Sequence, residues 1–171
     1  MRTAAVVLVA VALAGADRPR VSRASIVSVE KNFDQRIRRD DPYLLIGHTR
    51  GVYLEGYGVV LTSEANLSGM RFGPFGQPSS PEDIEKMRAR KLQRLPQLRA
   101  SMREMLLAAA VSLDEVPAAE QVAYGISLLY GPGEDHAGLP SQILMHGQRA
   151  RLMDAKLGRA AADSVIKVQE F

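Results

Sequence analysis

Between Ser80 and Leu113 apolar side chains return at helical intervals over a longer stretch than anywhere else in the chain, and a rod of that length dictates what can pack around it. Ile84, Met87, Leu92, Leu95, Leu98, Met102, Met105, Leu106, Ala109 and Leu113 fall within a sector roughly 140° wide at about 100° per residue, a stripe that needs a broad apolar surface opposite. Ser80 suits an N-cap and Pro81 the first helical position. Glu82 and Asp83 follow in the first turn, where negative charge meets the positive end of the helix dipole. Pro96 has no amide hydrogen and its ring opposes the Leu92 carbonyl, so the stripe predicts a long helix kinked there, or two helices in near-continuation.

The surface opposite that rod comes from segments of shorter period. From Ser25, the residues Ile26, Val29, Phe33 and Ile37 mark a first helix ending near Asp40-Asp41-Pro42. Thr49 to Leu67 flanks the tight Glu55-Gly56-Tyr57-Gly58 segment with β-branched and aromatic residues and reads as a hairpin. Ser68 to Ser80 is rich in glycine, proline and serine and reads as an exposed connector. Val122 to Tyr130 predicts a strand buried on both faces, Ser141 to Met145 a short strand, Gln148 to Leu157 a helix stopped by Gly158, and Ser164 to Phe171 a last strand. The expected fold class is α+β, a mainly antiparallel sheet covered by helices that include the long Pro-kinked amphipathic one.

The first sixteen residues carry a different signal. Arg2 precedes the apolar run Ala4 to Ala14, and Ala14-Gly15-Ala16 gives the small-x-small pattern read by signal peptidases, with cleavage expected after Ala16. The organisation expected is a signal peptide over 1–16, a short polar linker over 17–24 and a single α+β domain over 25–171. No other apolar run approaches membrane-spanning length. The location expected is therefore outside the cytoplasm, in the periplasm or the medium. The chain has no cysteine, which excludes disulfides, thiolate metal sites and a thiol nucleophile. Cleavage would remove one basic and no acidic residue from a formal charge of +3, and a balance so near neutrality names no partner.

Four segments, GVYLEGYGVVLTSEANL at Gly51 to Leu67, KLQRLPQLRASMREML at Lys91 to Leu106, GLPSQILM at Gly138 to Met145 and DSVIKVQEF at Asp163 to Phe171, resemble a group of uncharacterised secreted bacterial proteins. The resemblance implies one exported domain. It carries no activity, cofactor or catalytic residue.

Chemical candidates are few. Lys86, Arg88, Arg90, Lys91, Arg94, Arg99 and Arg103 follow one another without an intervening acidic residue. Lys86, Arg90, Arg94 and Arg103 point away from the apolar stripe, so they form either a solvated face or an anion-binding one for lipid headgroups, envelope polyanions or an acidic protein. Nucleic acid is disfavoured by export and by the small net charge. Lys91 falls inside the apolar sector, and snorkelling past Pro96 is preferred over pairing with a buried carboxylate or lining a pocket. His136, beside Glu134 and Asp135 in a glycine-rich loop, could support acid/base work if a cleft brought it against His48, Glu55 or Glu64. No HExxH spacing, GDSGG or GxSxG nucleophile segment, or phosphate-binding glycine loop is present, and neither a cofactor nor a metal is called for. Tyr43, Tyr53, Tyr57, Phe72 and Phe75 cluster in the hairpin and connector, where exposed rings could grip a partner. The function expected is a non-catalytic envelope module that binds a protein or another envelope component with the hairpin and its connector as the contact edge, with a periplasmic hydrolase or peripheral binding to an anionic membrane surface as alternatives.

Overall fold

The computed structural model describes residues 21–39, 44–67 and 80–171. The expectations for the signal peptide and its cleavage after Ala16, for Tyr43, and for the connector with Phe72 and Phe75 lie outside these residues. The elements are α1 (Arg23–Arg39), β1 (Leu44–Leu54), β2 (Gly58–Asn66), α2 (Pro81–Ser112), β3 (Gln121–Leu128), β4 (Gln142–Gln148), α3 (Arg149–Lys156), α4 (Ala162–Val165) and β5 (Lys167–Glu170). The strands form one sheet in chain order. β1 pairs antiparallel with β2, as does β3 with β4 and β4 with β5. The fold is thus α+β on a mostly antiparallel sheet. β2 and β3 run parallel, an arrangement the sequence did not announce, because α2 lies between them and carries the chain back to the starting end.

The core lies between the sheet and the helices. Ile26, Val29, Phe33 and Ile37 of α1 meet Val59, Leu61, Tyr124, Ile143 and Met145 of the strands, and Leu98, Met102, Leu106 and Ala109 of α2 extend the same cluster. Phe33 packs edge-on against Tyr124, with ring centroids 4.6 Å apart at 70°. α2 is one continuous helix through Pro96. Pro96 faces solvent, so the Leu92 carbonyl that loses its bond lies on the water side. Ser80 caps it as its sequence position suggests, accepting the Asp83 amide hydrogen at 3.2 Å.

Its other end has no basic residue in the last turn. Arg149, 9% exposed, supplies that charge from α3: Nε donates to the Ala110 carbonyl and Nη1 to the Val116 carbonyl, both at 3.0 Å. A cation at these carbonyls satisfies two acceptors and complements the negative end of the dipole. The last expected strand is shorter than its alternation suggested. Ser164 and Val165 belong to α4, whose turn places Val165 and Ile166 against the core before β5 begins.

Two glycines fix the sheet. Gly58, at φ +127°, lets β2 approach β3 so closely that a Cβ would lie 1.9 Å from the Gln121 carbonyl oxygen. At Gly51 a Cβ would lie 2.6 Å from Ile26 Cγ2 and 2.8 Å from Leu61 Cδ2, so its absence lets α1 settle onto β1.

Candidate functional site

The acid/base cluster expected in the 131–140 loop is assembled, but onto α2 rather than into a cleft. Lys91, 1% exposed at its side chain, forms an ion pair and hydrogen bond with Glu134, 9% exposed. The Lys91 ammonium also lies 4.8 Å from the centroid of the Tyr130 ring, and Tyr130 stacks on His136 at 5.3 Å and 20°. Arg88 donates to Asp135 at 3.2 Å. Lys91 therefore does not snorkel: its wheel position directs it into the core, and a loop distant in sequence brings the carboxylate and ring that make burial tolerable. Tyr130 donates to the Pro140 carbonyl at 2.6 Å, and burial together with the Glu134 charge pushes its hydroxyl up to about 12. These groups hold a loop to a helix.

His48 lies elsewhere, on β1 beside α1. Its Nδ1 is 2.8 Å from Asp34 Oδ2, while Asp34 Oδ1 accepts the Thr49 amide hydrogen at 2.7 Å. Burial pushes the Asp34 carboxyl up, but hydrogen bonds from Thr49 and His48 outweigh it and leave the group below its ordinary value. Behind this pair runs a buried line of hydroxyls. Tyr124 donates to Ser63 at 3.1 Å, and Ser63 and Thr49 share a hydrogen bond of 2.8 Å. Every polar side chain in the line has a partner, as burial requires. Tyr124, wholly buried, is held above its ordinary value by desolvation.

No hydrogen bond or ion pair joins His48 to the Glu134–His136 loop among the described residues. Glu55 sits on the exposed hairpin turn and Glu64 on the exposed face of the sheet. Among the described residues no group of three or more His, Asp or Glu is placed to hold a metal ion. A cleft of about 230 Å³ opens between α1 and α2 over Val29, Phe33, Met105 and Ala109, and the Arg36–Glu104 pair, 2.5 Å, stands at its rim. It is smaller than the roughly 300 Å³ at which ligand pockets usually begin.

Of the cations on the outer side of α2, Lys86 stands 3.9 Å from Glu82, Arg94 donates to the Leu67 carbonyl at 2.7 Å, and Arg103 donates to Asp163 at 2.6 Å. Arg90 is exposed. Arg99, from the same basic run, grips Glu170 through two bonds of 2.6 and 2.7 Å. Much of this charge ties α2 to the rest of the fold. No helix among the described residues is long and apolar enough to cross a membrane.

The hairpin carries what the loop does not. Val52 is 51% exposed, Leu54 47% and Tyr57 42%. Val52 and Leu54 are two apart on β1, so both project from the sheet face opposite the helices, and Val52 lies directly across from Val60. Tyr53, one position out of phase, turns inward and donates to Glu120 Oε1 at 3.3 Å. The same oxygen accepts the Gly56 amide hydrogen at 3.2 Å and ties the turn to the start of β3. Sequence reasoning named the hairpin but missed Glu30, Asp34, Glu120 and Arg149. Only Glu30 and Asp34 left a trace, as acidic residues four apart on one side of a helix otherwise read for its apolar positions. No family model, curated protein or solved structure matches this chain.

Proposed function

We propose that the chain is an exported, non-catalytic binding module that engages a protein or another component of the cell envelope through the open face of its hairpin. The observation that carries this reading is the run of exposed apolar side chains at Val52, Leu54 and Tyr57, beside Val60 on the neighbouring strand. Water-facing apolar groups clustered on one side of a sheet are what a contact surface requires, whereas singly scattered ones need no explanation. A catalytic reading would need the acidic loop free to meet a substrate, and its Glu134 and Asp135 carboxylates are held by Lys91 and Arg88. Export is drawn from residues 1–16, and neither a metal nor a cofactor enters the proposal.

The test is a photo-crosslinking residue placed at Leu54 or Tyr57 in cells of the source organism, with position 90 on α2 as the comparison. We expect a discrete envelope adduct from the hairpin positions. Val52→Asp should abolish the Tyr57 adduct while leaving the circular dichroism spectrum unchanged. An adduct only from position 90, or a hairpin adduct indifferent to Val52→Asp, would overturn the reading. Mass spectrometry of the exported protein should find Asp17 as its first residue.

A further inference from the structure

The two edges of the sheet differ. Along β1, α1 lies so that Glu30 accepts the outward Gly51 amide hydrogen at 2.7 Å and Asp34 that of Thr49 at 2.7 Å. Arg23 donates to the Gly51 carbonyl at 2.8 Å and Arg38 to that of Gly47 at 3.3 Å. Four side chains from one helix thus occupy main-chain groups that would otherwise invite another strand. Acceptors four apart on a helix are separated by about 6 Å, and amides two apart on a strand by about 6.8 Å, so the match is geometric.

Among the described residues no such cover reaches β5. Phe171 and Gln142 exchange bonds in both directions, 3.0 and 3.2 Å, which sets the alternation of the β4–β5 ladder. Gln169 and Lys167 share that phase and face β4. The amides and carbonyls of Val168 and Glu170 are directed away from the sheet. Among the described residues those groups have no partner beyond the edge, and every residue of β5 is exposed, Val168 at 39%, as is Phe171 just after it at 65%.

We propose that this edge pairs with β5 of a second copy of the chain, antiparallel and centred on Gln169. In that register Val168 lies opposite Glu170 of the partner subunit, and each such pair exchanges two main-chain hydrogen bonds. All four outward groups of each copy are then satisfied. Centring on Val168 would set Glu170 against Ile166 of the partner subunit, whose amide hydrogen already goes to the Ala162 carbonyl at 3.0 Å. The Gln169 register also places Lys167 opposite Phe171 of the partner subunit on the same face, where an ammonium and an exposed ring attract each other. This self-complementarity is the reason for choosing a second copy over a foreign strand. A contact of about five residues a side falls well short of the roughly 800 Å² per partner of a stable complex, so the dimer is reversible and forms at high concentration.

The absence of cysteine makes the test clean, because Gln169→Cys introduces a single thiol on the two-fold axis. Directly opposed residues of a non-hydrogen-bonded antiparallel pair have Cα atoms about 4.5 Å apart, within the disulfide range of roughly 4.4–6.8 Å. Under mild oxidation at high concentration, Gln169→Cys should form covalent dimer at least tenfold faster than Thr62→Cys, an exposed position on the same face. Adding Val168→Pro removes an amide hydrogen that β4 does not use, and should return the rate to that of Thr62→Cys with the circular dichroism spectrum unchanged. Should the proline variant fail to fold, Lys167→Glu in the Gln169→Cys background should slow dimer formation several-fold. Equal rates for Gln169→Cys and Thr62→Cys, or a rate unaffected by whichever edge variant folds, would overturn the proposal.

Discussion

Replacing Glu134 with Gln should be among the most damaging changes to a single polar side chain in this protein. The substitution keeps the shape and removes the charge, leaving the Lys91 ammonium, 1% exposed, with a neutral amide oxygen and the Tyr130 ring 4.8 Å away in place of a carboxylate. Removing one member of a buried pair costs about 3–5 kcal/mol, because the surviving charge stays desolvated without compensation. The ring keeps about 1–2 kcal/mol of attraction, so the loss should fall near the lower end, at about 3 kcal/mol. At a urea slope of about 2 kcal/mol per molar, the unfolding midpoint should move down by roughly 1.5 M. Lys91→Met combined with Glu134→Gln removes the orphaned charge and should recover most of the loss, since a hydrophobic replacement of a buried pair is often neutral. Urea titrations of the native chain, both single variants and the double variant give the coupling directly. A loss below about 1 kcal/mol for Glu134→Gln, or a double variant no better than the worse single, would refute the claim that this pair is buried and mutually dependent.

The remaining expectations concern the fold's other fixed points. Because the folded Asp34 carboxyl lies below its ordinary value, the stability it contributes is present above about pH 4 and lost as pH falls through the lower folded value. Asp34→Asn should accordingly destabilise at about pH 6 and flatten the acid limb of the stability curve, as read by denaturant titration across pH. Arg149→Met strands the Ala110 and Val116 carbonyls in the core and should cost about 2–4 kcal/mol, measured by thermal unfolding. Gly58→Ala should abolish soluble folded protein, since the added carbon meets the Gln121 oxygen at 1.9 Å. Gly56→Ala, at φ +81° with open space around it, should cost only about 1 kcal/mol.

What the sequence made legible follows periodicity. Ile26, Val29, Phe33 and Ile37 recur at helical spacing and all are buried, and the Ser80 to Leu113 stripe became a single helix with Met102 and Leu106 at its centre. The strand expected from Val122 is covered on both faces, its small residues Ala123 and Gly125 included. Pairing between distant segments left no such trace. Nothing around Lys91 indicated Glu134, and nothing around Arg149 indicated the end of α2, because each partner is chosen by the folded path of the backbone. The parallel seam was hidden for the same reason: a hairpin, a helix and two further strands can be joined in several orders, and closeness at Gly58 and Gln121 selects one. For the candidate site, exposure of Val52 and Leu54 depended on knowing which face α1 would cover.

That seam also has a kinetic consequence. The hairpin can form from local contacts, and α1, which precedes it in the chain, shields its outer edge as soon as the two meet. The inner edge, with Val59 and Leu61, waits until all of α2 has been laid down and β3 arrives. Non-local parallel pairing is intrinsically slow. A nascent chain therefore passes through an interval in which the inner edge of β2 stands open to a foreign strand, and a chaperone that recognised this protein would find its target there.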